Sequence, residues 1–113
     1  MPSSIFSSVS GIRAAFKMLD VSAHNTANMN TDGFKRQTAS LQEGSDGGVV
    51  VTIGRDTSSG GLYQSNGKLV EASNVNYADE AVSQIISKHY LSANIAAFKT
   101  ANEMEKSLLD IKA

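Results

Sequence analysis

The stretch Ser22-Ala-His-Asn-Thr-Ala-Asn-Met-Asn-Thr-Asp-Gly-Phe-Lys-Arg36 decides the fold, because it closes an amphipathic helix and opens a reversal. Asn25, Asn28 and Asn30 compete for nearby backbone groups and weaken a helix from within, while Gly33 accepts the positive φ of a sharp turn. The spacing therefore predicts a helix end here. Phe34 supplies a large apolar anchor just past the turn, and Lys35 and Arg36 either keep the exit solvated or face the carbonyl end of the helix.

Upstream, Ile5, Val9, Ile12, Phe16, Leu19 and Ala23 recur at steps of four and three, a heptad-like stripe on a helix from about Ser3 to Asn28. Ala14, Met18 and Val21 form a second line rotated by roughly 200°, so this helix is apolar on two sides. Downstream the design repeats at greater length. Val82, Ile86, Tyr90, Ala93, Ala97, Ala101, Met104, Leu108 and Ile111 make the first stripe, and Leu91, Ile95, Phe98 and Leu109 lie nearly opposite. Asn76 is the expected N-cap, with Asp79 and Glu80 complementing the positive end of the dipole and Lys112 the other end, giving a helix from about Tyr77 to Ile111. One partner helix cannot cover both apolar lines, so a second partner is implied.

Between the helices, Gly44 to Ser73 changes character. It holds Gly-Gly pairs at 47/48 and 60/61, the β-branched run Val49-Val50-Val51-Thr52-Ile53, and Asn66-Gly67 between Leu62-Tyr63-Gln64 and Lys68-Leu69-Val70. Asn66 and Gly67 both accept the positive φ of a type I′ turn, so a hairpin and two or three short strands are expected. The predicted fold is mainly α with a small β insert: two long terminal helices, whose stripes alone fit a dimer or a helical bundle, with a β-hairpin region between. Three segments follow, 1–43 with the first helix and the Asn-rich turn, 44–73 with the β insert, and 74–113 with the second helix.

Composition narrows the function classes. In 113 residues, 41% hydrophobic with only 6% aromatic, the core must be thin and built from Ala, Val, Ile and Leu. A formal charge of -1, from 10 basic and 11 acidic residues, offers no field for nucleic acid or an anionic membrane. No apolar run approaches the roughly 20 residues of a membrane span, and the start Met-Pro-Ser-Ser-Ile-Phe lacks the features of a cleaved signal. Without cysteine there is no disulfide or thiol catalysis.

Catalytic and ligand-binding patterns are also wanting. Asp20 and His24 are spaced for a helical contact, but such pairs are more often solvated surface than catalytic dyads. His89 has no His or Cys at ligand spacing, and Glu103 and Glu105 do not share a helix face. The glycines match neither a phosphate loop nor a dinucleotide fingerprint. We expect no enzyme activity, no metal, no cofactor and no small-molecule substrate.

The turn pattern of Asn25, Ala27, Asn28, Asn30, Thr31, Gly33, Phe34 and Lys35 resembles the N-terminal signature of bacterial flagellar rod, hook and hook-filament junction proteins. The stretch Asn74-Val-Asn-Tyr-Ala-Asp-Glu-Ala-Val82, with Tyr90, Ala93-Asn94 and Lys99-Thr-Ala-Asn-Glu-Met104, is similar to the C-terminal signature of the same axial family. Gly48 to Ile53 with Asp56 and Ser58 is similar to the small central part of the short rod proteins of proximal type. Pro2 is the only proline, so the proline-bearing loop usual before the C-terminal signature is missing, and Ser87-Lys88-His89-Tyr90 replaces a Gln-Arg-Ala-Tyr-like run.

The resemblance implies that the long N- and C-terminal helices pair as an antiparallel coiled coil, and that the chain is a structural subunit of the flagellar basal-body rod that polymerises through its terminal helices into a torque-transmitting shaft. It implies self-association, contact with other rod proteins and with the flagellar type III export apparatus, and assembly in the periplasm after export without a cleaved signal. Two alternatives share the helical hairpin: a stand-alone coiled-coil adaptor or chaperone, and a type III secretion inner-rod or needle component. The Asn-Thr-Asp-Gly-Phe-Lys turn and the β insert count against the second.

Overall fold

The computed structural model describes residues 2–112. Helix α1, Pro2–Ala27, leads through the Asn-rich turn to strands β1, Gln37–Glu43, β2, Val49–Arg55, β3, Leu62–Ser65, and β4, Lys68–Glu71, and the chain ends on helix α2, Tyr77–Lys112. The molecule is a rod in outline, 78 × 25 × 13 Å.

The helices lie antiparallel. Ser22, near the end of α1, donates to Glu80 at the start of α2, and Gly11 faces Asn94 farther along. Small residues allow that approach: a Cβ added at Gly11 would fall 2.1 Å from Asn94 Oδ1. Asn76 begins α2 as expected, its Oδ1 accepting from the amides of Ala78 at 2.9 Å and Asp79 at 3.3 Å.

The β region is two separate antiparallel ribbons. β1 pairs with β2 in the register Gln37↔Arg55 to Glu43↔Val49, and β3 pairs with β4 from Leu62↔Glu71 to Ser65↔Lys68. The second ribbon closes on Asn66 (φ 53°) and Gly67 (φ 79°), the two positive φ values that a type I′ turn requires. Strand β1 falls where the sequence suggested only a turn segment, so strand structure begins at Gln37 instead of Gly44. Its composition, Gln-Thr-Ala-Ser-Leu-Gln-Glu, carries no periodic signal, and pairing with the Val-rich β2 makes it a strand.

A two-stranded ribbon is marginal by itself, and the two are anchored differently. Ser10 Oγ accepts the Val49 amide at 3.0 Å, pinning β2 to α1. The β3–β4 ribbon is anchored instead to the Asn-rich turn, by Gly33 N–H donating to Glu71 O at 2.9 Å, and Ala72 N–H donating to Gly61 O at 2.7 Å closes its open end.

Candidate assembly surfaces and the polar joint behind them

The Asn-rich turn and the first turn of α2 meet in a buried polar joint. Asn25 and Glu80 are each only 1% exposed. Asn25 treats Gln37 as a strand neighbour would: its Nδ2 donates to Gln37 O at 2.9 Å, and its Oδ1 accepts the Gln37 amide at 2.8 Å. That exchange aims β1 away from the helix end. Glu80 Oε1 accepts from Ser22 Oγ at 3.0 Å and Asn25 Nδ2 at 3.2 Å, and its Oε2 accepts from Arg36 Nε at 3.3 Å. Gln84 Nε2 donates to Ser22 Oγ at 3.2 Å and Thr26 Oγ1 at 3.3 Å. A buried carboxylate is tolerable only when its oxygens accept hydrogen bonds and a cation is near, and both conditions hold, with three bonds shared between the two oxygens and Arg36 beside them.

A second, half-exposed layer continues outward. Asn74 Oδ1 accepts the Arg36 amide at 2.7 Å, and its Nδ2 donates to Asp56 O at 2.9 Å and Ser58 O at 3.0 Å. Hydrogen bonds from Ser58 hold the Asp56 carboxyl below its ordinary pKa, with help from Arg36 and Lys35. Lys35 bridges Ser58 O at 3.0 Å and the Glu71 carboxylate. That lysine, with the Gly60 amide, likewise lowers the Glu71 pKa. Tyr63 donates its hydroxyl to Asp32 at 2.7 Å, and this bond raises the phenol pKa.

The turn motif supplies most of these contacts. Asn28 Nδ2 caps His24 O at 3.0 Å, Thr31 Oγ1 donates to Asn28 Oδ1 at 3.1 Å, and Gly33 turns the chain at φ 71°. Phe34 packs edge-on against His24, with ring centroids 5.5 Å apart. Ala27 is the last residue of α1, and Asn30 is exposed. Lys35 and Arg36, which the sequence left either in solvent or at the helix end, hold Glu71 and Glu80.

The helical stripes are distributed unevenly. The seam between the helices is small and polar: Ser8, Gly11, Ala15, Ser22 and Asn25 of α1, and Glu80, Ser87 and Ala101 of α2, are buried. Buried hydroxyls there bond back to their own helix, Ser8 to Ser4 O at 2.9 Å and Ser87 to Ser83 O at 2.7 Å.

Of the first apolar stripe, Ala101 is buried, and Ile5, Val9, Ile12, Leu19 and Tyr90 are half-buried. Phe16, Ala23, Val82, Ile86, Ala93, Ala97, Met104, Leu108 and Ile111 face solvent. From the second line, Val21 is buried, Met18, Leu91 and Phe98 are half-buried, and Ile95 and Leu109 are exposed. The second line thus sits nearer the partner helix than the first. Apolar periodicity missed the seam because small and polar residues occupy it. Positions 8, 15 and 22 on α1 and 80, 87, 94 and 101 on α2, each seven apart, carried the signal.

His24 is engaged with Phe34, and His89 is exposed. Among the described residues no group of three or more His, Cys, Asp or Glu comes together for a metal ion, and no helix is long and apolar enough to cross a membrane. Fold and surfaces define an elongated helical hairpin with outward apolar stripes and a polar joint at the root of its β ribbons. Residues 63–111 match the family described as flagellar basal body rod FlgEFG protein C-terminal. The match puts that segment in the rod family. It supports a structural role for the chain in the flagellar basal-body rod, in association with other rod proteins. No curated protein matches the chain.

Proposed function

We propose that the chain is a rod subunit that polymerises through its terminal helices into the axial shaft and transmits torque. The observation that carries this reading is the exposed apolar surface on both helices. Phe16 is 58% exposed, Ile111 is 81% exposed, and Val82, Ile86, Met104 and Leu108 are exposed with them. Burying a side chain of this size contributes about 1.5–3 kcal/mol, so several together favour neighbours strongly. The antiparallel helices act as a coiled coil through a small, polar heptad seam, which leaves the larger apolar side chains to other subunits. A contact between unlike faces that does not close into a ring builds a helical tube. Export through the flagellar type III apparatus without a cleaved signal, and assembly in the periplasm, complete the reading.

Light scattering and far-ultraviolet circular dichroism on one sample across a wide concentration range test it, because assembly-coupled folding makes mass and helicity rise together. Ile12→Asp or Ala97→Asp is expected to abolish the rise. A fixed dimer, fully helical at high dilution, would refute the reading in favour of a self-contained adaptor.

A further inference from the structure

Among the described residues, none covers the end of α2. Ser22 lies against Glu80 and Gly11 against Asn94, so Pro2, nine residues before Gly11, falls opposite about Glu103. Lys106 to Ile111 are all exposed, leaving about two turns of helix projecting past the start of α1. One face of this overhang carries Met104, Leu108 and Ile111, with Glu103 and Asp110 to one side and Lys106 one turn from each of them toward the back of the helix. On the outer side of α1, where β2 lies against it, a groove of about 590 Å³ is floored by Phe6, Val9, Val49 and Val51 and rimmed by Arg13 and Lys17.

We propose that this groove receives the α2 overhang of a second copy, with Leu108 seated near Val9 and the acidic flank beside Arg13 and Lys17. Three features match: an apolar stripe to an apolar floor, an acidic flank to a basic rim, and a helix end to a groove about three turns long. The contact joins unlike surfaces, so each copy offers one groove and one overhang and the chain of contacts stays open. The proposal rests on the assembly reading above and names the contact through which one subunit meets the next.

Disulfide trapping tests it cleanly, since the natural chain has no cysteine. Equal amounts of a Val9→Cys chain and a Leu108→Cys chain are mixed, oxidised mildly and resolved without reductant, with light scattering on the same sample. Random pairing makes the mixed disulfide equal to the two same-site disulfides together; here it should outweigh their sum by at least about threefold. Adding Arg13→Glu and Lys17→Glu to the first chain should remove that excess, and adding Glu103→Lys and Asp110→Lys to the second should restore it. A mixed disulfide at or below the random share, or one indifferent to charge reversal, overturns the contact. If the sample still associates, the contact alone is refuted; if mass never rises, the assembly reading falls with it.

Discussion

Replacing Glu80 with alanine is the sharpest perturbation of the joint, and the structure sets its size. The carboxylate accepts three hydrogen bonds, but the partners are not equally stranded by its loss. Ser22 Oγ retains Glu80 O at 3.2 Å, and Asn25 Nδ2 retains Gln37 O at 2.9 Å. Arg36 loses its closest carboxylate and keeps only Asp56 at 3.9 Å. Breaking a buried ion pair typically costs 3–5 kcal/mol, and because the Arg36 side chain is 26% exposed, water recovers part of it. We therefore expect Glu80→Ala to destabilise the chain by about 3 kcal/mol, and Glu80→Gln, which keeps an acceptor for Ser22 and Asn25, by about 1–2 kcal/mol. Urea unfolding followed by circular dichroism, at one fixed protein concentration, would show the first as a midpoint shift of about 2 M if m is about 1.5 kcal/mol/M. The double variant Glu80→Leu/Arg36→Leu should cost less than Glu80→Ala alone, because it strands no charge. A Glu80→Ala cost under about 0.5 kcal/mol, or a double variant costing as much as both single losses together, would refute the joint as the organising contact.

Gly11→Ala should cost about 1–3 kcal/mol, since its Cβ would overlap Asn94, which is held through Nδ2 to Tyr90 O at 2.8 Å; Asn94→Ala on the same chain should recover most of the loss in the same unfolding assay. Gly60→Ala meets backbone instead, 2.1 Å from Ala72 O, so no compensating side chain exists and backbone amide shifts along β3–β4 should change together. The Glu71 carboxyl is depressed below its ordinary 4.5 in the fold, so its contribution is present above that pH and is lost as pH falls through the folded value. The Gly60 amide, which donates to Glu71 at 3.0 Å, should therefore titrate in NMR with a midpoint below 4.5; a midpoint at or above 4.5 would contradict the Lys35–Glu71 pairing.

Local chemistry made some elements readable in the sequence and left others hidden. Asn76 caps α2 and Asn66-Gly67 turns the second ribbon because each acts within three residues of itself. β1 was hidden because its partner lies across the Gly44–Gly48 loop and its own residues have no period. The joint was harder still. Glu80 reads as an ordinary first-turn carboxylate, and only the return of the chain past Arg36 and Asn25 shows that it is buried. The seam stayed invisible to an apolar search because Ser, Gly, Asn and Glu occupy its heptad positions.

That seam also fixes where cohesion resides. The buried apolar side chains among the described residues are Ala14, Ala15, Val21 and Ala101, small groups that contribute little on burial. Specificity between the helices comes instead from close backbone approach at Gly11 and from the Ser22–Asn25–Glu80 network, both of which depend on geometry. Such a hairpin is well specified and weakly held. Each exposed Phe, Ile or Leu that a neighbour covers adds about 1.5–3 kcal/mol, comparable to the whole Glu80 contact. Association and folding are then linked by mass action: any partner that binds the folded hairpin alone raises its stability as RT ln(1 + [L]/Kd). Mutations at the joint and on the outer stripes should therefore lower the same observable, helicity at fixed concentration, by different routes. Higher concentration should rescue the joint variants and leave the stripe variants unrescued.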